Sequence, residues 1–278
     1  MNPVENALWF IENHFGKEIS LDDIAGVAGV SRFRLSHVFG MATGRSVMGY
    51  VRGRRLTEAA RKLAAGAPDI LQVALDAGYG SHEAFTRAFR DLLGLTPEEV
   101  RAAGTTANIA LVEPIRMDRS LLVPLEPPRF EDSPGLMIAG YSGRYTFETN
   151  QGIPTQWQRF NDAYHGQIPN QKGNVFYGLS HNFDDDGHFE YVCGAEVTGF
   201  GGLPDELARV RIAPHRYAVF SHRSHISMIS RTHYTIWATW AQESGYVAAE
   251  MLNFERYDER FDPVTGNGVV EIWVPIKA

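Results

Sequence analysis

One acidic residue, Glu255, stands among aromatic residues in a segment with the pattern of a β-strand. It belongs to LNFERY (252–257), where strand alternation places Glu255 and Tyr257 on one face and Phe254 on the other. A carboxylate buried among aromatic side chains is costly unless it is paired, so Glu255 is either an ion-pair partner or the receptor of a cation. The residues alone favour the ion pair, because buried acids usually have protein partners.

Basic side chains that could neutralise phosphate groups are concentrated near the N-terminus. Residues 32–62 hold eight Lys and Arg side chains and one acidic side chain, Glu58. Residues 1–104 contain 12 basic and 12 acidic residues, whereas residues 105–278 contain 14 and 21, so the net charge of −7 belongs to the second part. A local basic patch can bind nucleic acid within a neutral domain, but the acidic part is a poor candidate for such contact.

A sequence repeat indicates which elements carry the basic patch. Residues 24–44 align with residues 73–94, with Ser31 opposite Ser81. Each copy has the pattern of a short helix, a turn that contains glycine, and a second helix whose first residue is capped by the serine. Residues 47–65 between the copies have the pattern of a long amphipathic helix. Two helix-turn-helix units on one rigid helix could reach successive major grooves on one side of a DNA duplex.

The second helix of each copy would present the polar side chains near its N-terminus to a major groove. Apolar periodicity turns Leu35 and Phe39 of the first copy towards the core. Phe85 and Phe89 have the same role in the second copy. The side chains predicted to face outward are Arg32, Arg34, Ser36 and His37 in the first copy, and His82, Glu83, Thr86 and Arg87 in the second.

Residues 19–101 resemble the DNA-binding domain of the AraC/XylS family of transcription regulators. The segment ILQVALDAGYGSHEAFTRAFRDLLGLTPEEVR (70–101) matches the signature of that family. The placement of this domain before the rest of the chain resembles the Rob-like subgroup. The residues that carry the match are Gly78, Ser81, Phe85, Arg87, Phe89, Gly94, Thr96 and Pro97.

The resemblance implies base contacts from both recognition helices. The residues concerned are Arg32, Phe33, Ser36 and His37 in the first copy, and His82, Glu83, Thr86 and Arg87 in the second. Phe33, Ser36 and His37 depart from the Rob-like pattern, so the operator sequence does not carry over to this chain. The candidates for phosphate contact lie on the helix between the two copies and are Arg54 and Arg55.

The C-terminal part contains a second duplication. Trp157 aligns with Trp237 at an offset of about 80 residues, and each half has the pattern of a strand, a helix and a two-stranded hairpin. Residues 176–183 align with 254–261 at an offset of about 78, which makes Tyr177 the equivalent of Glu255. We therefore predict a two-domain α+β protein. An all-α double helix-turn-helix domain (1–104) and a linker (105–118) precede a duplicated strand-helix-hairpin domain (119–278) with a curved antiparallel sheet.

Residues 120–278 resemble the GyrI-like effector-binding domain, which occurs fused to DNA-binding domains. The closing stretch NFERYDERFDPVTGNGVVEIWVPIK (253–277) carries the match. The resemblance implies that Glu255 lies at the base of an aromatic pocket and meets lipophilic cations, for which the faces of aromatic rings are suitable partners. The aromatic residues that are candidates to line this pocket are Tyr141, Tyr145, Trp157, Tyr177, Trp237, Tyr257 and Trp273.

Other classes of site and partner follow from the same sequence. No apolar stretch is long enough to span a membrane and the single cysteine, Cys193, allows no internal disulfide, which predicts a cytoplasmic protein. The histidines lack metal-ligand spacing, and we expect no metal, cofactor or catalytic residue. The expected partners are double-stranded DNA, a small effector and RNA polymerase, with the chain a monomer or weak dimer. Two alternatives remain open: hydrolysis of the ligand by Glu255 with Trp273, or contact with another protein only.

Overall fold

The computed structural model describes residues 3–116, 119–164, 166–184, 187–249 and 251–277. The chain divides into two compact units, of which one comprises Pro3–Leu35 and Ser46–Met117 and the other Ser36–Arg45 and Asp118–Ala278. Four residues of the predicted DNA-binding domain and linker lie outside the described residues. They are residues 1 and 2 of the predicted DNA-binding domain and residues 117 and 118 of the predicted linker. Within those described ranges, no helix is long and apolar enough to cross a bilayer.

The N-terminal part is helical, and its two helix-turn-helix units are confirmed. Gly29 and Gly78 follow the first helix of each copy with left-handed φ angles of 70° and 85°, which glycine adopts without strain. Ser31 and Ser81 cap the second helices, because each Oγ accepts a hydrogen bond from the backbone N–H three residues ahead, at 3.3 and 3.2 Å. The helices are α1 (Pro3–His14), α2 (Leu21–Ala28), α3 (Arg32–Thr43), α4 (Val47–Ala64), α5 (Ile70–Asp76), α6 (His82–Leu93) and α7 (Pro97–Ala103).

The long helix α4 supplies one side of the core of the first unit. Leu56 and Leu63 are buried on α4 and belong to one cluster with Phe85 and Phe89 of α6 and Val100 of α7. The predicted inward periodicity of α4 and of the second recognition helix is therefore confirmed. This packing leaves the opposite side of α6 free to carry polar side chains.

The C-terminal part is built on one eight-stranded sheet. Every pairing of neighbouring strands is antiparallel, as predicted, and the strand order is β1-β6-β8-β7-β3-β4-β2-β5. The strands are β1 (Arg129–Ser133), β2 (Leu136–Thr146), β3 (Gln171–His181), β4 (His188–Val197), β5 (Ala208–Ile212), β6 (His215–His222), β7 (Phe254–Asp262) and β8 (Asn267–Pro275).

Two helical segments lie between strands of the sheet in the described part of the chain. Helix α8 (Ile153–Tyr164) precedes β3, and helix α9 (Ile229–Thr235) continues into a π-helical segment, Ile236–Trp240, and a last turn, Ala241–Glu243. Both occupy the positions that the duplicated strand-helix-hairpin pattern predicts. A π-helical segment is uncommon and is often found at functional sites.

The sheet has a core on each face. Phe160 of α8 packs in one cluster with Tyr191 and Cys193 of β4. A separate cluster contains Tyr217, Phe254 and other side chains that point to the other face. The two faces therefore hold different sets of side chains, and the register of each strand decides which set a residue joins.

Candidate functional site

The carboxylate of Glu255 lies on β7 within a cluster of hydrogen bonds. The hydroxyls of Tyr257 and Tyr191 donate hydrogen bonds to Glu255 Oε2 at 2.7 and 3.1 Å, and His233 Nε2 lies 3.0 Å from Oε1. The indole N–H of Trp157 donates to the Tyr191 hydroxyl at 3.0 Å. Strands β4 and β7 and helices α8 and α9 therefore meet at one carboxylate. We call these five side chains the Glu255 cluster.

The protonation states in the Glu255 cluster follow from burial and from these hydrogen bonds. Burial alone would raise the pKa of Glu255, but hydrogen bonds from His233, Tyr257 and Tyr191 and the charge of His233 hold that pKa below its usual value. Burial raises the pKa of the Tyr191 and Tyr257 hydroxyls well above 10. At neutral pH the carboxylate is therefore ionised and both phenols are protonated donors.

A glycine on the neighbouring strand provides space for this cluster. Gly178 of β3 pairs with Glu255 of β7. A Cβ atom at position 178 would lie 2.2 Å from the Tyr191 hydroxyl oxygen and 2.7 Å from Glu255 Oε2. Any side chain at this position would therefore displace the Tyr191 hydroxyl or the Glu255 carboxylate.

Gln156 fixes helix α8 against the sheet. Its side-chain N–H groups donate to the carbonyl oxygens of Tyr141 and Tyr191 at 2.8 and 2.9 Å. Its Oε1 accepts a hydrogen bond from the Tyr145 hydroxyl at 2.7 Å. Because Trp157 is the next residue of α8, these bonds set the position of the indole that reaches Tyr191.

Further aromatic rings lie on the same face as Glu255. The rings of Trp157 and Tyr257 are 5.0 Å apart and meet edge to face. Tyr141 packs edge-on against Phe160 and Tyr164 of α8. Four of the predicted pocket residues, Trp157, Tyr257, Tyr141 and Tyr145, are thus brought to this side of the sheet.

Tyr177 and Trp273 point to the opposite face, so their predicted place beside Glu255 is wrong. Tyr177 pairs with Arg256 rather than with Glu255, and Trp273 pairs with Phe254 and stacks on its ring at 5.2 Å. The repeat aligns Tyr177 with Glu255 at an offset of 78 positions. In the sheet, residues of β3 and β7 that share a face, such as Gly178 and Glu255, are an odd number of positions apart. An even offset therefore aligns residues that lie on opposite faces. A shift of one residue moves a strand side chain to the other side of the sheet.

A separate group of charges holds the opposite face together. Glu271 is 1% exposed and contacts Arg129 at 2.9 Å, Arg256 at 3.2 Å and Arg260. The indole N–H of Trp273 donates to the same carboxylate at 3.1 Å. Trp273 is therefore bonded to Glu271. The contact between Glu255 and Trp273 that ligand hydrolysis would require is not formed.

Trp237 lies in the π-helical segment, four residues after His233, and is 7% exposed. His233, Tyr191 and Gln156 are additions to the predicted set of binding residues. The spacing of His233 and Trp237 in THYTIW puts them on one side of a helix, which is the signal that could have identified His233. Tyr191 alternates with Phe189 and Cys193, so strand periodicity could have placed it on the inner face.

The second recognition helix, α6, presents polar side chains outward. Glu83 and Arg87 are exposed, and His82 and Thr86 are half-buried. His82 Nε2 lies 3.1 Å from a carboxylate oxygen of Glu98 at the start of α7. This surface has the position that a helix-turn-helix unit offers to a major groove.

The first recognition helix, α3, is divided between the two compact units. Arg32 and Phe33 are exposed near its N-terminus, and Arg34 is half-buried. The prediction that Ser36 and His37 face outward is wrong, since they are 9% and 6% exposed. Ser36–Arg45 belong to the second unit, in which His37 Nε2 lies 3.0 Å from the amide nitrogen of Asn253 and the imidazole meets the rings of Phe183 and Trp237 edge to face.

Arg54 of α4 is buried inside the first unit, which contradicts its predicted exposure to phosphate, whereas Arg55 is half-buried. Arg54 is 4% exposed, forms an ion pair with Glu12 at 3.0 Å and donates to the carbonyl of Val112 at 2.9 Å. Arg55 donates to the carbonyls of Phe15 and Lys17 at 2.6 and 2.5 Å. Both guanidinium groups connect α4 to neighbouring segments of the chain.

A shallow cleft at the surface of the second unit is a second place where a ligand could bind. Residues 122–128 line one side, and Thr239, Trp240 and Glu243 are among the residues on the other. Its carboxylates are those of Glu126, which pairs with Arg223 at 2.8 Å, and Glu243. Within the described residues, no group of three or more His, Cys, Asp or Glu side chains is arranged to hold a metal ion.

Two family models match the chain, one for each of its two domains. Residues 24–103 match the family model of a helix-turn-helix domain, and residues 126–277 match that of the GyrI-like small molecule binding domain. The second match covers more than half of the chain, and the chain belongs to the family of proteins that contain a GyrI-like small molecule binding domain. Both predicted resemblances are confirmed.

Curated relatives match nearly all or about half of the chain. The chain is 24% identical to the transcriptional regulator Rob of Salmonella typhimurium, over 99% of this chain and 98% of the relative. It is also 24% identical to the right origin-binding protein of Escherichia coli, with the same coverage. The transcriptional regulator BrlR of Pseudomonas aeruginosa is 28% identical over 53% of this chain and 54% of its own length.

Proposed function

We propose that the protein is a transcription regulator whose C-terminal domain binds a lipophilic, aromatic cation at Glu255. The observation that carries this proposal is an ionised carboxylate, 16% exposed, enclosed by aromatic side chains on the face that α8 and α9 cover. We assign DNA binding to residues 1–104 and ligand binding to residues 119–278, joined by residues 105–118. The name of the transcriptional regulator Rob, a relative over 99% of this chain, supports a role in transcription. We place the protein in the cytoplasm, with RNA polymerase as a partner.

The charge of Glu255 favours a cationic ligand. A buried carboxylate is stabilised by any positive charge that replaces the water it has lost. The rings of Trp157 and Tyr257 add an attraction for cations through their negative faces. A neutral ligand of the same shape would gain only the apolar contact.

The exposed side chains of α6 and the N-terminus of α3 are the proposed DNA-reading groups. Arg87 has the length and the donors to contact a guanine edge in a major groove. Because the residues of α6 differ from Arg32 and Phe33 of α3, one chain would read an asymmetric site. We further infer that the C-terminal domain binds its ligand without converting it, since the relative Rob is a transcriptional regulator.

Calorimetric titration of the full chain tests the ligand site. Tetraphenylphosphonium is the cationic probe and triphenylphosphine oxide the neutral one. Glu255→Gln should weaken the cation on the order of tenfold or more, which is about 1.4 kcal/mol per factor of ten, and leave the neutral probe unchanged. The matched control is Glu259→Gln, which removes the same charge from an exposed position on the same strand and should change neither affinity.

Two results would contradict the proposal. Equal losses of affinity for the cationic and the neutral probe in Glu255→Gln would show that the carboxylate acts through shape rather than charge. A loss in Glu259→Gln as large as that in Glu255→Gln would show that the overall acidity of the domain attracts the cation.

A further inference from the structure

The position of His233 raises the question of how a cation reaches Glu255. Its Nε2 lies 3.0 Å from Oε1 of Glu255, and only 7% of the His233 side chain is exposed. The other oxygen, Oε2, accepts from Tyr191 and Tyr257. Both oxygens of the carboxylate are therefore already engaged by side chains of the protein.

We infer that His233 is the resident counter-ion of Glu255, and that a lipophilic cation binds at this site in exchange for the proton of His233. The inference rests on the proposed function and identifies a residue that sets its charge preference. Each bound monocation releases one proton to solvent, so the charge of the site is the same before and after binding.

The neighbouring titratable groups leave His233 as the source of this proton. Burial holds the hydroxyls of Tyr191 on β4 and Tyr257 on β7 protonated, because it raises their pKa values well above 10. Burial lowers the pKa of His222 on β6 below 6.5 and that of His37, also in the second unit, to about 3. Those two imidazoles are therefore neutral near pH 7.

The second nitrogen of His233 explains why the proton leaves when a cation enters. Nδ1 is buried and has no hydrogen-bond partner among the described residues. A protonated imidazole with one such N–H is costly to bury unless a nearby negative charge stabilises it. Once a ligand cation neutralises Glu255, that stabilisation is lost, and the neutral imidazole becomes the stable form.

The exchange makes the affinity for a cation depend on pH in one direction. Protons compete with the ligand, so binding of a monocation should strengthen by up to about tenfold per pH unit while His233 is protonated in the free protein. The effect should disappear at higher pH, where no proton remains to be released. A neutral ligand leaves the charge of Glu255 in place and should show no such dependence.

Titration calorimetry of the full chain in two buffers that both hold the chosen pH measures the proton directly. The two buffers differ in protonation enthalpy, so the difference in observed heat gives the number of protons released per bound tetraphenylphosphonium. The titrations should run from mildly acidic to mildly basic pH, the interval in which histidine is the side chain that ordinarily changes its charge. We expect release approaching one proton at the acidic end for tetraphenylphosphonium, and none for triphenylphosphine oxide.

Two histidine variants locate the proton. His233→Gln keeps an N–H donor towards Glu255 but cannot be protonated, so it should bind the cation with no proton release and no pH dependence. His222→Gln is the matched control, because His222 is also buried but bonds to Thr232 and to the carbonyl of His225 instead of Glu255. This control should release protons as the wild type does.

The outcomes separate this inference from the proposed function. A cation that binds in a Glu255-dependent manner without proton release in the wild type overturns the role of His233 and leaves the ligand site intact. Unchanged release in His233→Gln overturns it equally. Failure of tetraphenylphosphonium to bind at any pH overturns both. The buffer comparison in the wild type decides the matter even if a variant does not fold.

Discussion

Replacing Arg54 by methionine separates a structural role of the linker-helix arginines from contact with DNA. The wild-type guanidinium is 4% exposed, lies 3.0 Å from Glu12 and donates to the carbonyl of Val112 at 2.9 Å. Methionine retains an unbranched apolar stem, so the main loss is the charge and its hydrogen bonds. We expect the first unit to be destabilised and the contacts with DNA to be unaffected while the protein is folded.

The magnitude follows from what the substitution leaves behind. Removing one partner of a buried ion pair costs about 3–5 kcal/mol, because the other charge stays buried without compensation. The Glu12 side chain is 24% exposed and keeps a hydrogen bond from Tyr50 at 2.5 Å, so water and this hydroxyl moderate the loss. We therefore expect a decrease in the free energy of unfolding at the lower end of that range, about 3 kcal/mol.

Urea unfolding and DNA binding at several salt concentrations give the two readouts. Arg52→Met on the same helix is the matched control, since Arg52 is exposed and its loss should change stability by much less than the loss of the buried Arg54. Two results together would refute the structural role of Arg54. They are a stability loss below about 1 kcal/mol in Arg54→Met and a reduction by about 0.9 in the salt dependence of its DNA affinity, and they would show that Arg54 contacts a phosphate.

Three further predictions concern other parts of the molecule. Arg87→Ala should weaken specific DNA binding by about 1–3 kcal/mol, relax sequence choice and leave urea unfolding unchanged; a uniform loss over all sequences would contradict base contact. Burial raises the pKa of the Cys193 thiol to about 12, so Ellman's reagent should label it only when the second unit unfolds, and rapid labelling of the native protein would contradict this. A hydrogen bond from Arg260 is the largest of the causes that lower the pKa of Asp258 to about 2. The ionised carboxylate therefore stabilises the fold fully above its unfolded pKa near about 4, and this stabilisation is lost as the pH falls through about 2. The stability difference between wild type and Asp258→Asn should therefore shrink over that acidic interval, and a constant difference would contradict the assignment.

The helix-turn-helix units could be predicted because their determinants are local. Gly29 and Gly78 adopt left-handed φ angles, and Ser31 and Ser81 cap the helices that follow, so four residues define two turns. Apolar periodicity places the core side of α6 correctly for the same reason. Each of these features depends on residues that lie within one or two turns of helix.

The errors arose where long-range packing decides the environment of a side chain. Arg54 belongs to a run of basic residues that is typical of a phosphate-binding surface, yet its partner Glu12 lies 42 positions earlier in the chain. The burial of His37 depends equally on distant residues of the second unit. A charge pattern indicates how many basic groups a segment has, but not which of them face solvent.

The Glu255 cluster was predictable only in part, because part of it depends on strand register and on a distant helix. Glu255 is conspicuous as an acid in an apolar strand, whereas the face on which Tyr177 lies depends on strand register to a single residue. A sequence repeat that contains insertions does not fix register to that accuracy. His233 comes from another element altogether, so its contact with Glu255 appears only once the helix is packed on the sheet.

The most direct test of the ligand site is a crystal structure of the full chain with tetraphenylarsonium, whose arsenic atom is located by anomalous scattering. We predict an arsenic peak beside the Glu255 carboxylate, with the cation within about 6 Å of the ring of Trp157 or Tyr257. A single peak in the surface cleft lined by residues 122–128 and Glu243, with the Glu255 cluster unchanged, would contradict the assignment of the ligand site.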